Sequence, residues 1–142
     1  MAQNARGDRP IGEKQPPRGQ QIRTGIAGEH FVAAELSRRG WVVALPMKNN
    51  PDFDMLAYRE VGAPIRVQVK TRREHVKTKA WRITSPFPEG PSDFLVAVSL
   101  EELGQPRYWI LPCAEANAIV TSEQLRRNKL DQYEDAWDLL AA

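Results

Sequence analysis

The chain has 142 residues, 42% of them hydrophobic and 27% charged, the composition of one ordinary globular domain. Its one cysteine, Cys113, excludes an internal disulfide, and no Cys/His set has zinc spacing. No apolar run reaches bilayer-spanning length and no apolar secretory core opens the chain, so the expected setting is a reducing cytoplasm with no membrane partner. The net charge is only +2, but between Arg66 and Arg82 seven basic residues face one acid, Glu74, so that window carries +6 and the remainder −4. Basic charge gathered in one stretch is the footprint of a phosphate-backbone partner. A charged sheet edge that blocks strand pairing gives the same pattern. Charge alone leaves both readings open.

Residues 1–21 are rich in Gly, Pro, Gln and Arg and offer little to a core, so they read as a disordered arm ahead of a single domain over 22–142. Thr24 to Arg39 reads as a helix, with Thr24 as its cap and Gly40 at the C′ position. Ile26, Val32, Ala33 and Leu36 supply an apolar stripe, and Glu29 falls on it. A carboxylate there needs a partner. Trp41 to Leu45 is a short strand, followed by turn-forming Asn49, Asn50, Pro51 and Asp52. Met55 to Tyr58 is a second strand, closed by a hairpin loop from Arg59 to Pro64.

Ile65 to Thr71 is a third strand with clean alternation: Ile65, Val67 and Val69 face one way, Arg66, Gln68 and Lys70 the other. A fourth strand is expected at Trp81 to Ser85. Phe94 to Leu100 and Arg107 to Leu111 should pair across the Gly104–Pro106 turn. Ser122 to Asn128 reads as a short helix capped by Ser122. Asp131 to Leu140 reads as a second, acidic helix anchored by Tyr133, Trp137 and Leu140. The order suggests an α/β fold on a mixed sheet.

The hairpin permits a geometric test. Pairing Tyr58 with Ile65 sets Asp54 opposite Val69, flanked by Gln68 and Lys70. Asp54 enters its strand where Lys70 leaves the next, so both lie at one end of the sheet, and Glu29 projects toward them from the helix. Two carboxylates, an amide and an ammonium suit phosphodiester hydrolysis. Mg²⁺ takes hard oxygen ligands and keeps several waters, so two carboxylates plus a substrate phosphate form a sufficient cradle. A lysine can hold the attacking water or offset charge on phosphorus.

The segment Asn50-Pro51-Asp52-Phe53-Asp54-Met55-Leu56, followed by Val67-Gln68-Val69-Lys70-Thr71, resembles the core of the PD-(D/E)xK nuclease superfamily. Gly25-Ile26-Ala27-Gly28-Glu29, with Leu36 and Gly40, resembles the glutamate-bearing first helix of many members. Tyr133, Trp137 and Leu140 look like the closing helix of small ones, including resolvase-like and homing-endonuclease-like members. The resemblance implies a restriction-endonuclease-like core, a central mixed β-sheet flanked by helices. It also implies a Mg²⁺- or Mn²⁺-dependent endonuclease acting on DNA. Carried over by position, Asp54 is the metal-binding aspartate, Asp52 the second-ranked one, Glu29 the helix carboxylate and Lys70 the catalytic lysine. Gln68 stands where most members have Asp or Glu, and would serve as a neutral ligand. Active members with this QxK pattern exist, yet the substitution also fits an inactive module of the same fold that holds DNA or a protein.

The expected nucleic-acid contacts are Arg72, Arg73, Lys77, Lys79 and Arg82. Trp81, between Lys79 and Arg82, is set either to stack on a base or to fill the core. Trp109 and Trp137 read as core, His30 as a surface residue and His75 as a loop residue. A duplex cutter of this kind is expected to act as a homodimer, because one site hydrolyses one strand. An interaction or inhibitor protein with no nucleic-acid role is the remaining rival.

Overall fold

Alternation along residues 65–73 organises the molecule. The computed structural model describes residues 17–47 and 53–141. Strand β3 (Ile65–Arg73) lies at the centre of a five-stranded sheet with order β1-β2-β3-β5-β6. Strands β1 (Val42–Ala44) and β2 (Met55–Tyr58) form its antiparallel flank. On the other side β5 (Asp93–Leu100) runs parallel to β3, and β6 (Arg107–Pro112) returns antiparallel to β5. Two short strands, β4 (Ala80–Arg82) and β7 (Gln124–Arg126), pair in a separate two-stranded ribbon. The sheet is mixed and flanked by helices, the expected α/β architecture.

Odd-numbered β3 residues face helix α1 (Arg18–Arg38). Val67 and Val69 join Val32, Leu36, Met55, Ala57, Val96, Val98 and Ile110 in one buried cluster, which Trp137 and Leu140 close from the C-terminus. The opposite face carries a second cluster around Leu95, Ala97, Trp109 and Leu111, covered by Trp81, Leu125, Leu130, Tyr133 and helix α2 (Cys113–Ile119). Trp81 and Trp109 meet edge-on, ring centroids 5.2 Å apart. Trp81 is 2% exposed and its indole N–H donates to the Val98 carbonyl, so it fills the core and cannot stack on a base.

Several expectations are corrected. The helix starts at Arg18, so residues 18–21 belong to it rather than to an arm; residues 1–16 lie outside the described residues. Thr24 is buried within α1 instead of capping it, and Gly40 (φ +97°) takes the C′ position as expected. The buried stripe of α1 is Thr24, Gly28, Val32 and Leu36, whereas Ile26 is 50% exposed.

The largest error lies after β6. Residues 113–119 form an unanticipated helix, and 122–128, expected as helix, hold β7 and a 3₁₀ turn, Arg127–Lys129. Ser122 and Glu123 have φ of 51° and 59°, a left-handed pair that reverses the chain into β7 rather than capping a helix. The expected acidic helix is two 3₁₀ turns, Asp131–Tyr133 and Trp137–Ala141, although Tyr133, Trp137 and Leu140 are the buried anchors anticipated. Among the described residues no helix is long and apolar enough to cross a membrane.

Candidate active site

The site forms where β2 stops and β3 continues. The hairpin register is one residue off the expected one: Ala57, not Tyr58, partners Ile65, and Met55 partners Val67. Asp54 therefore falls level with Gln68 rather than Val69. Its backbone N–H donates to the Val67 carbonyl at 2.9 Å. Its Oδ2 accepts the Val69 N–H at 2.7 Å. The side chain thus extends the ladder one step past the end of β2. This bond fixes the carboxylate at an edge where β3 has no strand partner.

Glu29 approaches from α1. Two contacts set its position. A side chain at Gly28 would collide with the Thr71 hydroxyl, with the Thr71 Cβ and Cγ2 each 2.8 Å from its Cβ. Only glycine lets the helix backbone lie this close to β3. One turn earlier, the Thr24 hydroxyl accepts the Arg73 Nε–H at 2.8 Å, tying the helix to the far end of the strand. Glu29, next to the closest approach, is half-buried at the rim of the stripe.

The two carboxylates stand in raised-pKa surroundings. Burial raises the Glu29 carboxyl above its ordinary pKa, and the negative charge of Asp54 raises it further, while His30 opposes. Burial also raises Asp54, against the Val69 N–H bond and the Lys70 ammonium, which both favour its charged form. A carboxyl whose pKa is raised by burial favours a nearby cation, and Lys70 supplies one for Asp54. Gln68 and Lys70, both half-buried, alternate to the β3 face opposite α1, level with Leu95 and Ala97 of β5. Asp54, out of phase with buried Met55 and Ala57, is on that same side.

The other expected residues divide. Asp52 lies outside the described residues. Arg72 is no surface contact. It is 6% exposed, and its guanidinium donates to the carbonyls of Val76 and Thr78 at 2.8 and 2.9 Å and to the Ser99 hydroxyl at 3.3 Å. Burial, then the charge of Arg127, pull its pKa below the usual guanidinium value. It is a clamp on the loop after β3. Arg73 is half-buried and engaged with Thr24. Lys77, Lys79 and Arg82 are exposed, with Lys79 Nζ donating to the Glu74 carbonyl at 3.0 Å. Arg66, part of the basic window, forms an ion pair with buried Asp93 at 2.8 Å and is neutralised. His30 is on the surface, its Nδ1 at 2.9 Å from the Ile26 carbonyl, and His75 is exposed.

Sequence reasoning passed over Gly28 and Thr71, which determine how near Glu29 comes. The available signal was a glycine beside the helix glutamate and inside an otherwise regular helix, where it costs stability unless something packs on it.

With this geometry established, the comparisons are specific. The PD-(D/E)XK endonuclease family model matches residues 20–85, the span holding Glu29, Asp54, Gln68 and Lys70. That match spans just under half of the chain and shows a similarity to the family over this region. The fold is similar to that of the bacterial homing endonuclease I-Ssp6803I (TM-score 0.63, 23% identity, covering 83% of this chain and 91% of the other). It is also similar to Hjc, a Holliday junction resolvase from the archaeal hyperthermophile Archaeoglobus fulgidus (TM-score 0.56, 15% identity, covering 81% and 99%). Comparison with curated protein sequences gives no match. Within the matched span, Gln68 stands where the resemblance leads one to expect Asp or Glu.

The donor set fits a hard divalent cation only as a partial cradle. Among the described residues no group of three His, Cys, Asp or Glu side chains could hold a metal. Glu29 and Asp54 supply two carboxylates, and the Gln68 carbonyl is a neutral third ligand. Mg²⁺ tolerates such a set, because it keeps its waters and shares substrate oxygens.

Proposed function

We propose that the protein is a Mg²⁺- or Mn²⁺-dependent nuclease that hydrolyses DNA phosphodiester bonds. The observation that supports this reading is Asp54, its carboxylate held by the Val69 N–H at the open edge of β3 and within reach of the charges of Lys70 and of Glu29 on α1. Each comes from a different element, and the fold there is one on which nucleases are built.

Glu29, Asp54 and the Gln68 carbonyl would hold the metal. When bound, the metal would polarise a phosphoryl oxygen and acidify a coordinated water. The rest belongs to the chain. Asp54 is held by the Val69 N–H, so it need not reorganise as charge develops. Lys70 is placed to orient the attacking water or to offset negative charge on the phosphorane-like transition state. Glu29 and Asp54 repel each other until a cation separates them, so the site is preorganised for divalent charge. With one carboxylate fewer than the usual pattern, the site should hold metal weakly until the substrate phosphate completes the coordination. The expected cytoplasmic setting and a homodimeric assembly on duplex substrates complete the proposal.

The test is cleavage of supercoiled, linear and branched DNA in Mg²⁺, Mn²⁺ or EDTA, beside Lys70→Ala. Metal-dependent cleavage that falls about 10²–10³-fold in the variant, the usual cost of one transition-state donor, supports the reading. Cleavage indifferent to Lys70 would sink it. DNA binding with no cleavage in any metal would favour the inactive-module reading that Gln68 also fits.

A further inference from the structure

The β4–β7 ribbon has two unlike faces. Trp81 and Leu125 point inward, at 2% and 0% exposure. Alternation therefore turns Ala80, Arg82, Gln124 and Arg126 outward. The register sets Ala80 against Arg126 and Arg82 against Gln124, so the two arginines are diagonal neighbours on the outer face. The Arg127 N–H donates to the Lys79 carbonyl at 3.0 Å, which continues the ladder and brings Lys79 beside Arg127. Lys77 precedes this limb, and Lys129 ends the 3₁₀ turn that follows the other.

Arg82 and Arg126, from two distant stretches, thus share one outer face, with exposed Lys77 and Lys129 at its ends. Only half of them lie in the basic window of the sequence. Counter-charge is sparse. Glu123 lies 3.9 Å from Arg82, with both side chains well exposed, at 60% and 70%. Such a pair contributes little. Among the described residues no salt bridge engages Lys77, Lys79, Arg126, Arg127 or Lys129. Like charges gathered this way repel, and the outward side chains bury no apolar surface in return.

The ribbon also occupies the right layer. Trp81 packs on Trp109, the β6 partner of Ala97, and Ala97 is the β5 partner of Lys70. Ribbon and Lys70 therefore stand on the same face of the sheet. A two-stranded β-ribbon is also an element the major groove of B-DNA admits.

The geometry points to the outer face of the β4–β7 ribbon as the docking surface for duplex DNA, with Arg82 and Arg126 on its phosphates and Lys77 and Lys129 at the ends of that face. DNA is chosen as the polyanion because of the nuclease reading, on which this inference rests. Arg72 and Arg73 have no part in the surface. Phosphate contacts of this kind position the duplex and carry no sequence information.

The test measures binding and omits cleavage. A fluorescent DNA duplex of arbitrary sequence is titrated in EDTA at several salt concentrations, with wild type, Arg82→Ala/Arg126→Ala and Arg38→Ala. Arg38 ends α1, on the other face of the sheet. The double variant should keep the wild-type melting temperature and lower the slope of log K against log salt by about two, one per lost phosphate contact. Arg38→Ala should keep the wild-type slope. An unchanged slope in the double variant, an equal loss in Arg38→Ala, or tighter binding of the matching RNA duplex each overturns the proposal. If the slope falls as expected but wild type cleaves nothing in Mg²⁺ or Mn²⁺, the ribbon assignment stands and the nuclease reading fails.

Discussion

The two faces of β3 are treated oppositely by the rest of the molecule. On the α1 side the strand is used for packing: Ile65, Val67 and Val69 are buried, and Thr71 meets Gly28 at the closest approach of helix and sheet. On the other side every residue from Arg66 to Arg72 at even positions is polar, and each has a different fate. Arg66 is neutralised by Asp93, Arg72 is sealed inside as a loop clamp, and Gln68 and Lys70 remain half-buried beside Asp54. One strand can therefore be rigid and chemically equipped at once. The apolar face fixes its position, and the polar face presents groups whose positions then cost no further ordering entropy.

Substitutions sharpen this contrast, and Lys70→Ala should have the largest effect. It should abolish most cleavage while leaving the melting temperature near wild type, because Lys70 supports none of the packing. Arg72→Ala should do the reverse. Removing a buried guanidinium strands the Val76 and Thr78 carbonyls and should destabilise the fold by about 3 kcal/mol, read from urea denaturation. The salt slope of DNA binding should not fall by a full phosphate contact. A stable Arg72→Ala protein that binds DNA with a reduced slope would break the distinction between the two arginines.

Gly28→Ala comes next. Its methyl would drive the helix off Thr71 at a cost of about 1–3 kcal/mol, the usual penalty of overpacking. It should also lower cleavage by moving Glu29 away from Asp54. Combining it with Thr71→Gly should restore part of both losses, whereas strictly additive losses would show that the contact is not what positions the helix.

The smallest effect concerns Glu29→Gln in metal-free buffer. The Glu29 pKa is raised in the folded chain above its ordinary 4.5, mainly by burial and then by Asp54. The folded state thus keeps a proton that the unfolded state has released. The associated stability is present below the ordinary value and is lost as pH rises through the raised one. Wild type and Glu29→Gln should melt together in acid, and the variant should melt slightly higher near neutrality. Saturating Mg²⁺ should remove that advantage. A variant less stable than wild type in metal-free neutral buffer would contradict the repulsion argued for the two carboxylates.

Local pattern made much of this protein legible. Alternation identified β2, β3, β5 and β6 and their apolar faces, because a strand with a buried side must repeat every second residue. Asp54 stays beside Val69 despite a one-residue slip in register, because its side chain extends the ladder past the end of β2. The Gln124–Arg126 strand was not legible. Three residues carry too little periodicity, and what makes them a strand is the pairing with Ala80–Arg82 far along the chain.

By itself the sequence determined the alternating strands and the first helix, since those follow from side-chain spacing within a few residues. Only the tertiary structure decided which cations reach solvent. Arg72 and Arg82 look alike in the chain. The packing of the β4–β7 ribbon on β5 and β6 buries one against carbonyls and turns the other outward beside Arg126. Burial is a property of what lies across a gap in space, and no local pattern records it.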